Sequence, residues 1–112
     1  MLGSEPIYRN NSQHPSMWMC LVAAHIDCEI FEVVMMINLL GYMTIFSCQD
    51  KNQTGYVQLI MKRQSVSNFR YFLTTNSIHS KEKVLTSGVE FLFSHREFLK
   101  LEKTLLNTIN PI

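Results

Sequence analysis

The chain has 112 residues, 46% of them apolar and 17% charged, with a net charge of +1. That length supports one hydrophobic core and not two. The apolar share excludes disorder by composition, and the near-neutral charge excludes a broad electrostatic nucleic-acid binder as well as an acidic DNA mimic. No apolar run reaches the about 18–20 residues that a membrane span needs. Residues 1–15, MLGSEPIYRNNSQHP, hold no hydrophobic signal segment, so the expected location is the cytoplasm. Cys20, Cys28 and Cys48 are odd in number and follow no metal spacing, which reads as free thiols in a reducing compartment.

Residues 1–16 contain Pro6, Asn10, Asn11 and Pro15 and read as an extended N-terminal arm ahead of a single domain at 17–112. Trp18–Ile26 is a short apolar run that reads as a strand or as the front of a buried helix, which periodicity does not separate at this length. Asp27 reads as the N-cap of a helix from Cys28 to Leu40, with Glu29 and Glu32 near its positive end and Gly41 as its left-handed stop. This helix is apolar on most of its circumference, which predicts cover by a third layer or by a second copy at a two-fold interface, hence a homo-oligomer. Tyr42–Cys48 and Gly55–Lys62 read as the strands of a central hairpin, covered on both faces. Residues 67–77 suit a helix led by Ser67. His79–Lys83 reads as a charged loop, Val84–Thr86 as a short edge strand and Val89–Phe93 as a core strand. Ser94 and Glu97 have the spacing of a capping box ahead of a last helix whose inward stripe is Phe98, Leu101, Leu105 and Ile109. The order predicts an α+β two-layer sandwich, ferredoxin-like βαββαβ with an added C-terminal helix.

One segment carries a pattern. Asn38-Leu39-Leu40-Gly41-Tyr42 is followed by Thr44, by Ser47-Cys48-Gln49 and by Gly55-Tyr56-Val57-Gln58. Asp27–Ile60 resembles, in this respect, small uncharacterised phage and bacterial proteins. The Ser-Cys turn is also similar to one in the wybutosine-synthesis methyltransferase family. Asp50 stands where that pattern has glycine, and the resemblance assigns no catalytic residue. It implies a helix–strand–hairpin order and a phage or mobile-element protein.

Candidate sites follow from residue chemistry. Ser47, Gln49, Asp50 and Asn52 offer a polar lip at the end of a rigid hairpin, where binding groups collect. Lys62, Arg63, Arg70 and Tyr71 mix cations with an aromatic ring, a combination that suits stacking on a base beside a phosphate. Cys48 reads as a packed strand residue, although His25 and His95 fall at strand ends as candidate bases. The histidines at 14, 25, 79 and 95 are scattered, so no metal and no cofactor is expected. The reading is a small non-enzymatic binding protein that captures a host partner protein or a nucleotide-like ligand, as an anti-defence inhibitor would. The alternative is an RNA- or nucleotide-modifying enzyme, or its inactive remnant, working through Ser47-Cys48.

Overall fold

The computed structural model describes residues 15–51 and 54–110. Residues 1–14 of the N-terminal arm, and Asn52 of the polar lip, lie outside the described residues. The apolar run at 18–26 is not one strand: it turns at 20–23 and folds back on itself. Strands β1 (Ser16–Met19) and β2 (Ala24–Asp27) pair antiparallel as a separate hairpin. Its turn places Ala23 at φ 53.

Asp27 does not cap the helix that follows. Its carboxylate Oδ2 accepts the Gln49 N–H at 2.9 Å instead. Residues Cys28–Ile30 form a 3-10 turn, tied at its start by the Cys28 N–H to the Pro15 carbonyl at 2.8 Å, and helix α1 spans Phe31–Leu39. Gly41 ends it with φ 95, the left-handed value that favours glycine. Val33, Val34, Met36 and Ile37 are buried. The cover is intramolecular: α1 packs on the C-terminal helix α3 (His95–Ile109), on the β1–β2 hairpin and on strand β3 (Thr44–Cys48). Of the covers expected from the sequence, the chain's own hairpin supplies one, while Leu39 at the end of α1 is exposed.

The main sheet adds β4 (Val57–Lys62), β5 (Lys81–Val84) and β6 (Gly88–Phe93), in the order β3-β4-β6-β5, all antiparallel. The α+β class is as expected, but the strand order is not βαββαβ, because the 18–26 segment leaves the sheet to form the hairpin. Helix α2 (Arg63–Thr75) starts directly off β4, four residues before the Ser67 signal. At its start the Lys62 N–H meets the Met43 carbonyl at 2.8 Å, and Ser65 Oγ accepts the Met43 N–H at 2.9 Å. These two bonds hold the first turn without a side-chain cap. Ser94 does cap α3, accepting the Glu97 N–H at 3.2 Å. The Glu97 carboxylate turns instead to the His79 N–H at 2.9 Å and to Lys100.

One face of the sheet is the core. Cross-strand pairs Val57–Phe93, Leu59–Phe91 and Met61–Val89 put all six side chains on that face, and all are buried. From α2, Phe69 meets Phe91 at 5.1 Å and Phe93 at 6.5 Å between ring centroids, while Phe98 of α3 meets Phe93 at 6.5 Å. Edge-to-face aromatic packing adds to the burial of each ring. The expected central hairpin is instead an edge: β3 closes one side of the sheet, and no helix among the described residues covers the opposite face.

Candidate functional site

The residues of that second face follow from strand alternation and the observed register. One row across the sheet reads Phe46, Ile60, Glu90, Lys83; the next reads Cys48, Gln58, Leu92, Lys81. Lys62 lies opposite Gly88 in a third row. A β-bulge between Thr44 and Phe46 inserts Ile45 as the extra residue. The bulge reverses the expected alternation, in which Thr44 and Phe46 share a face. Thr44 and Ser47 now point to the helices, opposite Met61 and Leu59, whereas Ile45 approaches Gly88 on the open face. Phe46 is 52% exposed there, and Ile45 is exposed beside it.

At the centre of the face sits a buried carboxylate. Glu90 is 3% exposed, and its Oε2 accepts from Lys51 Nζ and Gln58 Nε2. Burial pushes its pKa upward, but the hydrogen bonds from Lys51 and Gln58 and the charges of Lys51 and Lys83 outweigh it, so the group is held below the ordinary glutamate range. Beside it lies a shallow depression of about 300 Å3 lined by Lys51, Thr54, Tyr56, Lys81 and Leu92. The Lys81 ammonium stands 4.8 Å from the centre of the Tyr56 ring, a cation–π distance. The open face thus carries Lys51, Lys62, Lys81 and Lys83 against Glu90, in a chain whose net charge is only +1.

Glu90 has a measurable consequence. A carboxylate held below its ordinary pKa contributes stability that is fully present above that range and is lost as pH falls through the lowered value. Glu97 shifts in the same direction, held by the His79 N–H. For Glu90→Gln, the gap in melting temperature to the wild type is therefore expected to be widest near neutrality and to narrow as pH is taken below about 5. A gap constant across that range in thermal melts contradicts the ion-pair account.

The structure scatters the residues singled out from the sequence. Ser47 is buried on the helix side, and Cys48 faces the other way, so the Ser-Cys pair shares no surface. The Gln49 N–H binds Asp27, and the Asp50 carboxylate accepts the Gly55 N–H at 2.7 Å, closing a loop in which Gly55 has φ 81. Asp50 is thereby engaged as a turn former. Arg63 donates to the Thr86 carbonyl at 2.6 Å, steadying the β5–β6 turn. Arg70 pairs with Glu82 through both Nε and Nη2, and that hydrogen bond raises its pKa further. Tyr71 is 74% exposed on α2. Of the second group only Lys62 reaches the open face.

Phe46 and Tyr56 fall in strand-like runs and are not candidates from the sequence, while Lys81 and Lys83 read as part of a charged loop but lie in β5, because they pair with Leu92 and Glu90 of β6. The period-2 run K-E-K-V at 81–84 is the available signal, since it places both lysines on one face of a strand. Among the described residues, no His, Cys, Asp or Glu group of three or more is placed to hold a metal ion, and no helix is long and apolar enough to cross a membrane. No family model, curated protein or solved structure matches the chain.

Proposed function

We propose that the chain is a non-enzymatic binding protein that captures a nucleotide-like anionic ligand on the open face of its sheet. The observation that carries this reading is the composition of that face: Lys81 and Lys83 line its β5 edge, Ile60 and Leu92 lie inward of them beside the buried Glu90–Lys51 pair, Tyr56 lines the depression and Phe46 is open to solvent at the far edge. Bases stack on aromatic rings, and lysines neutralise phosphates. A partner protein is the second reading, favoured by the exposed Met17, Trp18 and Leu21 of the β1–β2 hairpin.

Titration of isotope-labelled protein with AMP and GMP, followed by NMR, tests the first reading. Shifts are expected at Lys51, Tyr56, Lys81, Lys83 and Leu92, with α3 silent. Shifts centred on Gln49 and Asp50, or on Arg70 and Tyr71, move the site. No shift with either nucleotide removes the nucleotide class and leaves the hairpin as the surface to test.

A further inference from the structure

We infer that the occupant of the open face is a short single strand of nucleic acid whose backbone runs along edge strand β5, with its bases lying across the sheet toward Phe46. The inference rests on the nucleotide-binding reading above and adds the class and direction of the ligand. Lys81 and Lys83 are both exposed, both on the open face, and neither makes an ion pair among the described residues. By contrast, Lys51 is engaged by Glu90 and Arg70 by Glu82. Two exposed cations without an ion pair among the described residues, one over the Tyr56 ring and one near Glu90, therefore repeat along one edge at about 7 Å, two residues of an extended strand. A single phosphate occupies one such position, and successive phosphates of an extended strand occupy both.

The opposite edge supplies the other half. Phe46 lies three strands away from Lys83 in the same row, about 14 Å across the sheet. Between them in that row stand Ile60 and the buried Glu90, whose charge Lys51 neutralises. The next row adds Gln58 and Leu92, so bases lie over Ile60 and Leu92 while Tyr56 sits beside Lys81. A duplex hides its base faces, so it cannot use Phe46. The small number of cations keeps the bound stretch short, in agreement with a net charge of +1.

The test compares mononucleotide, mixed-sequence single-stranded tetranucleotide and hairpin duplex by fluorescence anisotropy over a salt series, on the full chain. The tetranucleotide is expected to bind at least about tenfold tighter than the mononucleotide, from one further stacked base. Lys81→Ala with Lys83→Ala is expected to reduce the slope of log K against log salt by about 1.4, or about 0.7 for each phosphate that is no longer neutralised. Phe46→Ala is expected to weaken binding with the slope retained, and Lys103→Ala, on α3, to change neither. Circular dichroism establishes that each variant is folded. Equal affinity for mononucleotide and tetranucleotide, an unchanged slope in the double lysine variant, or equal binding of the duplex overturns the inference while leaving nucleotide binding in place. Equal binding of a polyglutamate peptide overturns the nucleic-acid occupant. Failure of AMP and GMP to shift any resonance is the separate result that removes the underlying reading.

Discussion

Phe69→Ala is expected to lose about 3–5 kcal/mol of stability, the range for emptying a large buried aromatic site. Phe69 has no exposed surface, and its ring is the junction of both layers of the fold. It stands edge-on to Phe91 at 5.1 Å and to Phe93 at 6.5 Å, and it is tilted against Tyr42 at 5.6 Å. Truncation removes the transfer free energy of the ring and leaves a void between α2 and the two central strands. Those strands are hydrogen-bonded along their whole length, so they cannot close inward to fill it. Since a domain's total stability is only about 5–15 kcal/mol, the loss is a large fraction of the whole. Urea titration monitored by circular dichroism measures the loss. Phe46→Ala is the contrast: its exposed ring is expected to cost under about 0.5 kcal/mol. If the two variants lose similar amounts, the core is not organised around Phe69.

A second large effect is expected from the smallest possible addition. Gly88 opens β6, and a methyl group placed there would stand 2.1 Å from the Met61 carbonyl oxygen and 3.1 Å from its carbon. Both are backbone atoms of β4, the neighbouring central strand, so no side-chain rotation relieves the overlap. Ile45 Cδ1, at 3.4 Å, closes the remaining side. Gly88→Ala must therefore part β4 from β6 at the Lys62–Gly88 pair or distort the β5–β6 turn. The cost is expected at about 2–3 kcal/mol, which lowers the melting temperature by roughly 10 °C in a domain of this size. The added methyl, on the open face beside Ile45, also disturbs the third row of the proposed binding surface. A melting temperature within about 3 °C of the wild type contradicts the close approach.

Much of the element content is legible from local chemistry. Gly41 ends α1 as its position indicates, and Ser94 caps α3 through the expected amide. Strands β3, β4 and β6 fall within or beside the apolar runs that suggest them. Local reasoning fails where a residue has a better partner far along the chain. Asp27 has the position of a helix cap, but the Gln49 N–H lies 22 residues away and takes its carboxylate. The Ser67 signal for α2 is overridden by two bonds to Met43 that start the helix earlier.

The site is less legible than the fold, for the same physical reason. A polar residue in a loop looks available for binding until its hydrogen bonds are known, and Asp50, Arg63 and Arg70 are each engaged within the chain. Exposed sheet faces are equally hidden in a one-dimensional pattern. Phe46 reads as a core aromatic, and only the bulge at Ile45 and the edge position of β3 turn it to solvent.

What the sequence determined by itself is therefore local: which runs become helix or strand, where two of the helices end or begin, that the composition can bury one core, and that no charge excess drives broad electrostatic binding. Propensity, capping and patterning act over a few residues and need no knowledge of the partner. The tertiary structure alone decided that the first apolar run is a hairpin covering α1, that β3 is an edge, and that Lys51, Lys62, Lys81 and Lys83 gather around Glu90 on an uncovered face. Those are outcomes of strand order and register, which leave that face uncovered among the described residues, and in which one shifted residue moves every following side chain to the opposite face of the sheet.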